Sequence, residues 1–163
     1  MVSLSNHALV LLLLLTSCGY RFVAPNSTLP KGVDKVQVPV FRNNTSEPGA
    51  EELFTDALRE LYLHSGKLGD DSSETQIEGT LLSIYSTPLV ASPGRLPNYR
   101  VNIVVALKLM RGPQQLNQVV VSGGEEFPSG ADLLWAETWR GAAIRRVAEA
   151  MMREGAERLA TGW

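Results

Sequence analysis

The sequence predicts an α+β fold: a two-layer sandwich in which two helices pack on one face of a mixed four-stranded sheet, in the order βαβββα. Three observations carry that expectation. Apolar and polar residues alternate in four stretches, apolar residues recur at helical spacing in two others, and one helical stretch follows the first strand while the other closes the chain. The 163 residues carry a formal net charge of −2, with 44% hydrophobic and 20% charged residues, the balance of one ordinary folded domain. The 15 basic and 17 acidic residues form no block of like charge, which excludes the basic footprint of a nucleic-acid binder.

The elements follow in order. Residues 35–42, KVQVPVFR, set Val36, Val38 and Val40 on one side and Gln37 and Pro39 on the other, the pattern of a half-buried strand. Pro39 has no N–H to donate, so this strand belongs at an edge or beside a bulge. Asn43, Asn44, Thr45 and Ser46 then supply capping side chains for a helix over 48–64, in which Leu53 or Phe54, Ala57, Leu58, Leu61 and Tyr62 share a face. Pro48 suits its first turn and Gly66 a left-handed cap after its end.

A second strand is expected over 75–87, with one covered and one more open face. Pro88, Pro93 and Pro97 forbid regular structure in the loop that follows. The clearest strand is 98–111, where Val101, Ile103, Val105, Leu107 and Leu109 alternate with Arg100, Asn102, Val104, Ala106, Lys108 and Met110. Gly112 and Pro113 turn it into a fourth strand at 118–127, making an antiparallel hairpin. From Ala131 to Trp163 the chain reads as a helix, with Ile144, Val147, Ala148, Met151, Met152, Gly155 and Leu159 forming one apolar stripe.

The first eighteen residues read differently. Ala8 to Leu15 form an unbroken apolar run followed by Thr16, Ser17 and Cys18. The run is under half of the twenty or so residues that a membrane-spanning helix requires, and it fits the apolar region of a secretory signal. Residues 1–7 carry no Lys or Arg, whereas signals usually begin positive. Leu15-Thr16-Ser17-Cys18 resembles the lipobox of bacterial lipoproteins. That resemblance implies removal of residues 1–17, an S-diacylglycerol on Cys18 and N-acylation of the new amine. Acyl chains of this kind hold a protein on a membrane at about 0.8 kcal/mol per buried methylene. The alternative is a free or disulfide-bonded Cys18 in a secreted domain. Residues 18–34, rich in Pro, Gly and small polar residues, read as a flexible tether to the domain at 35–163.

Catalytic chemistry is poorly supplied. Once the signal is removed, His64 is the remaining histidine and the lipid occupies the single cysteine, so neither a Cys-His pair nor a cysteine-rich metal site is available. A hydrolase would have to use His64, which sits near the end of an amphipathic helix. Asp70, Asp71, Glu125 and Glu126 are adjacent carboxylates with little specificity for acid-base work, and Gly123-Gly124 lacks the spacing of a phosphate loop. No catalytic residue, metal site or cofactor is expected.

The pattern Cys18-Gly19-Tyr20-Arg21-Phe22, then Val38-Pro39-Val40-Phe41-Arg42-Asn43-Asn44-Thr45 leading into Glu52-Leu53 and Thr55-Asp56-Ala57-Leu58, resembles the LPS-assembly lipoprotein family LptE over nearly all of the mature chain. The resemblance implies two helices covering a sheet, and a partner, the outer-membrane barrel LptD, whose lumen the domain plugs and whose folding it assists while lipopolysaccharide is placed in the outer leaflet. It also implies a lipid-anchored, periplasm-facing position on the outer membrane, towards which Gly19 after the cysteine also points. Arg95, Arg100 and Arg111 are the candidate lipopolysaccharide contacts, because a guanidinium binds phosphate bidentately; the alternative is three separate surface arginines. A competing reading is a lipid-anchored periplasmic component of another envelope assembly or secretion machine.

Overall fold

The computed structural model describes residues 29–89, 98–129 and 132–161. Six elements follow one another: β1 (Arg42–Asn43), α1 (Ala50–His64), β2 (Thr75–Pro88), β3 (Asn98–Arg111), β4 (Gln114–Pro128) and α2 (Leu133–Thr161). The sheet runs β1-β2-β3-β4. β1 is parallel to β2, whereas β2 with β3 and β3 with β4 are antiparallel. The two helices share one face of this mixed sheet, so the fold class is the one predicted.

β3 is the spine of the core. Val101, Ile103, Val105, Leu107 and Leu109 are all fully buried beneath the helices, beside Ile77 and Leu81 of β2 and Val119 and Val121 of β4. The predicted stripe of α2 is buried in full, from Ile144 through Leu159. Gly155 lets the helix approach the sheet closely, since a Cβ there would meet Leu107 Cδ1 at 2.5 Å. Gly79 plays the same part on β2, where a Cβ would overlap the Phe41 ring.

Four local expectations change. The strand expected over 35–42 is reduced to Arg42–Asn43, preceded by isolated parallel bridges of Val36 with Leu68 and Gln37 with Gln76. Pro39 interrupts the ladder, and the burial phase slips there: Val36, Val38 and Phe41 are buried while Val40 is exposed. Helix α1 takes over the broken edge. Thr55 Oγ1 accepts from the Phe41 N–H at 3.0 Å, and Arg59 Nε donates to the Val38 carbonyl at 2.9 Å.

Helix α1 starts at Ala50 rather than 48, because Gly49 at its N-cap adopts a left-handed φ of 80° and has no side-chain cap. Asn43 and Thr45 stabilise the approach instead: the Asn43 amide donates to the Glu47 carbonyl at 2.8 Å and to the Glu51 carboxylate at 2.6 Å. Gly66, at φ 68°, is left-handed as expected.

The fourth strand begins at Gln114 rather than 118, since Gly112 and Pro113 form a two-residue turn that pairs Arg111 directly with Gln114. Finally, the segment read as tether docks before residue 35. Leu29 and Val33 are buried, and Arg111 donates to the Gly32 carbonyl at 2.8 Å. Two apolar side chains around a Gly32 turn (φ 84°) are enough to seat it.

Candidate functional site

Cys18, the lipobox residues Leu15, Thr16 and Ser17, and Arg95 lie outside the described residues. Arg100 and Arg111 stand near opposite ends of β3, about 36 Å apart at the rise of an antiparallel strand. Each is engaged within the fold. Arg100 donates to the Gly124 carbonyl at 3.3 Å and faces Glu126 at 3.7 Å, and Arg111 holds the Gly32 carbonyl. One phosphate-bearing headgroup therefore cannot meet both.

The other titratable candidates are also placed. His64 is exposed, with Nδ1 2.8 Å from the Glu60 carbonyl. Asp70 closes a turn by accepting from the Ser72 hydroxyl and N–H, and these bonds hold its carboxyl below the usual carboxylate range. Asp71 accepts from the Gln37 amide at 2.7 Å, Glu125 from Arg146 at 2.5 Å, and Glu126 pairs with Arg100. Among the described residues no group of three or more His, Cys, Asp or Glu is arranged to hold a metal ion, and no helix is long and apolar enough to cross a membrane.

The geometry instead presents surfaces. On the sheet face away from the helices, cross-strand rows run Glu78-Lys108-Gln118, Thr80-Ala106-Val120, Ser83-Val104-Ser122, Tyr85-Asn102-Gly124 and Thr87-Arg100-Glu126. Most of these side chains are polar, and Tyr85 and Val120 are the exposed larger apolar ones. A cleft of about 320 Å³ opens beside this face, lined by Pro39, Val40, Arg42, Glu78, Thr80 and Lys108.

Two features escaped the sequence reading. One is an ion pair in which the Arg140 guanidinium of α2 grips both oxygens of Glu47 at 2.7 and 2.6 Å. Its pKa is raised, first by that hydrogen bond. The other is the start of α2, where Leu133, Leu134, Trp135 and Trp139 are 78%, 78%, 56% and 41% exposed. A signal for it was present: Leu133 lies eleven residues before Ile144 and continues the core stripe, while at about 100° per residue Trp135 falls on the opposite side. The stripe outruns the sheet that buries it.

These features define a two-layer α+β domain with one helix-covered and one open, largely polar sheet face. The chain belongs to the LptE lipopolysaccharide-assembly family, whose profile matches residues 33–159. Solved structures share the fold. A putative lipoprotein from Caulobacter crescentus CB15 is 12% identical, with 76% of this chain and 89% of that one covered and a TM-score of 0.56. The hypothetical protein CT253 from Chlamydia trachomatis is also 12% identical, over 76% and 94% of the two chains, with a TM-score of 0.56. Protein XCC0632 from Xanthomonas campestris is 14% identical over 82% and 90%, with a TM-score of 0.53. No curated protein sequence matches the chain.

Proposed function

We propose that the protein is a non-catalytic lipoprotein of the outer membrane, anchored through acyl groups on Cys18 and paired with an LptD-like barrel as its plug and folding partner. Membership of the LptE family supports the role in lipopolysaccharide assembly. The observation that carries the partnership is the open sheet face. An antiparallel sheet can present one face to water, and the polar rows from Glu78 to Thr87 and their partners on β3 and β4 suit the polar, hydrated lumen of an outer-membrane barrel better than an acyl environment. The lipid on Cys18 keeps the domain on the membrane into which the barrel inserts.

Lipopolysaccharide phosphates are met at one end of the sheet at a time. Arg95 and Arg100, five residues apart in sequence, are the candidates for one headgroup, and Arg111, at the other end of β3, for another.

The test is extraction of the full-length chain from outer membranes in mild detergent, with photo-reactive residues placed at Thr80, Asn102 or Ser122 on the open face and at Asp56 or Glu60 on the solvent side of α1. Co-extraction of a large barrel and adducts from the sheet positions alone are expected. A chain that comes out without a barrel overturns the reading. In the same membranes Cys18→Ala abolishes incorporation of labelled palmitate, and persistent labelling would place the lipid elsewhere.

A further inference from the structure

The exposed start of α2 has a shape that restricts what covers it. Leu133, Leu134 and Trp135 point in three directions around the helix at about 100° per residue, so this turn is apolar on every side. A one-sided apolar stripe is desolvated by a flat surface, but an apolar turn is desolvated only when it is surrounded. The complementary shape is a cleft.

Charge narrows the occupant further. Asp132 and Glu137 are exposed around the tip, with Asp132 Oδ1 accepting from the Trp135 N–H at 2.9 Å. The first cation along the helix, Arg140, is held by Glu47 at 2.6 Å and also faces Glu137 at 3.8 Å. Among the described residues Asp132, Glu137 and Glu47 still outnumber Arg140, so the tip is anionic, which an acyl layer penalises and basic groups on a protein reward.

Position sets the tip apart from the anchored end of the domain. The described chain begins beside the far end of α2, where Pro30, Lys31 and Val33 line a cleft with Leu159, Ala160 and Thr161. The 29 residues of α2 measure about 43 Å, while the stretch from Cys18 to Leu29 spans at most about 40 Å when fully extended. The tip is therefore the part of α2 furthest from the end at which the tether joins the domain.

We propose that the first two turns of α2, from Asp132 to Trp139, insert into an apolar cleft rimmed by basic side chains on a partner protein. The partner is the outer-membrane barrel, so the inference rests on the function proposed above.

The experiment compares full-length wild type with Leu133→Asp/Leu134→Asp and with Glu137→Lys, each extracted from outer membranes. A photo-reactive residue at Leu134 is the second readout. Because the Leu133 and Leu134 side chains are exposed, the double variant is expected to unfold at the wild-type Tm, whereas Glu137→Lys, which replaces a partner of Arg140 by a like charge, should unfold slightly below it. The double variant should bring out about tenfold less barrel or lower still, the loss typical of a central apolar anchor. Glu137→Lys should bring out several-fold less, and Leu134 should give an adduct with the barrel. Equal barrel recovery from wild type and the double variant, or Leu134 adducts confined to phospholipid, overturns the inference while leaving the barrel partnership standing. A wild-type chain that recovers no barrel overturns both.

Discussion

The two helices begin in opposite ways. Helix α1 has no side-chain cap at Gly49, yet its first turns are fastened on every side: Asn43 holds Glu51, Thr55 caps the Phe41 N–H, and Phe54 and Leu58 are fully buried. Helix α2 has a good cap in Asp132 and four large apolar side chains in its first two turns, which the described fold leaves exposed. Local capping energy and tertiary commitment are thus separate quantities. The start of α1 is committed to stability, and the start of α2 is available for contact.

The largest effect expected from this contrast is on stability. Phe54→Ala removes a fully buried ring and should cost about 3–5 kcal/mol, the range for Phe truncation in a core. Leu134→Ala, at an exposed position of the other helix start, should stay within about 0.5 kcal/mol. Urea unfolding of both variants checks the pair, and equal losses would erase the distinction between the two helix starts.

Next in size is the link between the two regions. Glu47 precedes α1 and Arg140 directly follows the exposed patch, with side chains 28% and 19% exposed. The pair is bidentate and mostly covered, so Arg140→Ala should cost about 1–2 kcal/mol, discounted for the water that still reaches Glu47. Arg140→Lys keeps the charge, loses the planar two-point grip and should recover only part of that loss. Full recovery by lysine in the same denaturation series would show that charge alone, and not the fork geometry, ties the start of α2 down.

Much of this was legible in the residues. β3 keeps Val101, Ile103, Val105, Leu107 and Leu109 on one face because helices cover that face, and the stripe from Ile144 to Leu159 has helical spacing because α2 crosses that same face. Period-based reading failed where a single residue changed the backbone: Pro39 broke the first strand and shifted its phase, and Gly49 delayed α1. The candidate surface was harder to see. Leu133 and Leu134 have the spacing of core residues, and nothing in a sequence says that the sheet ends before the helix does. Arg140 and Glu47 are 93 positions apart, so their pairing depends on the sheet that brings them together. Arg100 and Arg111 look close in sequence but are separated by nearly the full length of β3.

The smallest effect is electrostatic and local to the start of α1. Glu51 is held below the ordinary carboxylate range, first by its own backbone N–H and next by the Asn43 side-chain amide, with a contribution expected from the helix N-terminus where it sits. Since the folded pKa is depressed, the stabilisation is present above the unfolded value and is lost as pH falls through the folded one. Asn43→Ala should move the Glu51 titration upward, as read from its side-chain carboxyl resonance. The variant's stability should then fall less on acidification than wild type's, because part of the pH-dependent bond is already gone. A Glu51 titration unchanged in Asn43→Ala would mean that the helix backbone alone sets it, and the fastening of α1 to β1 would then rest on Thr55, Arg59 and the buried ring of Phe54.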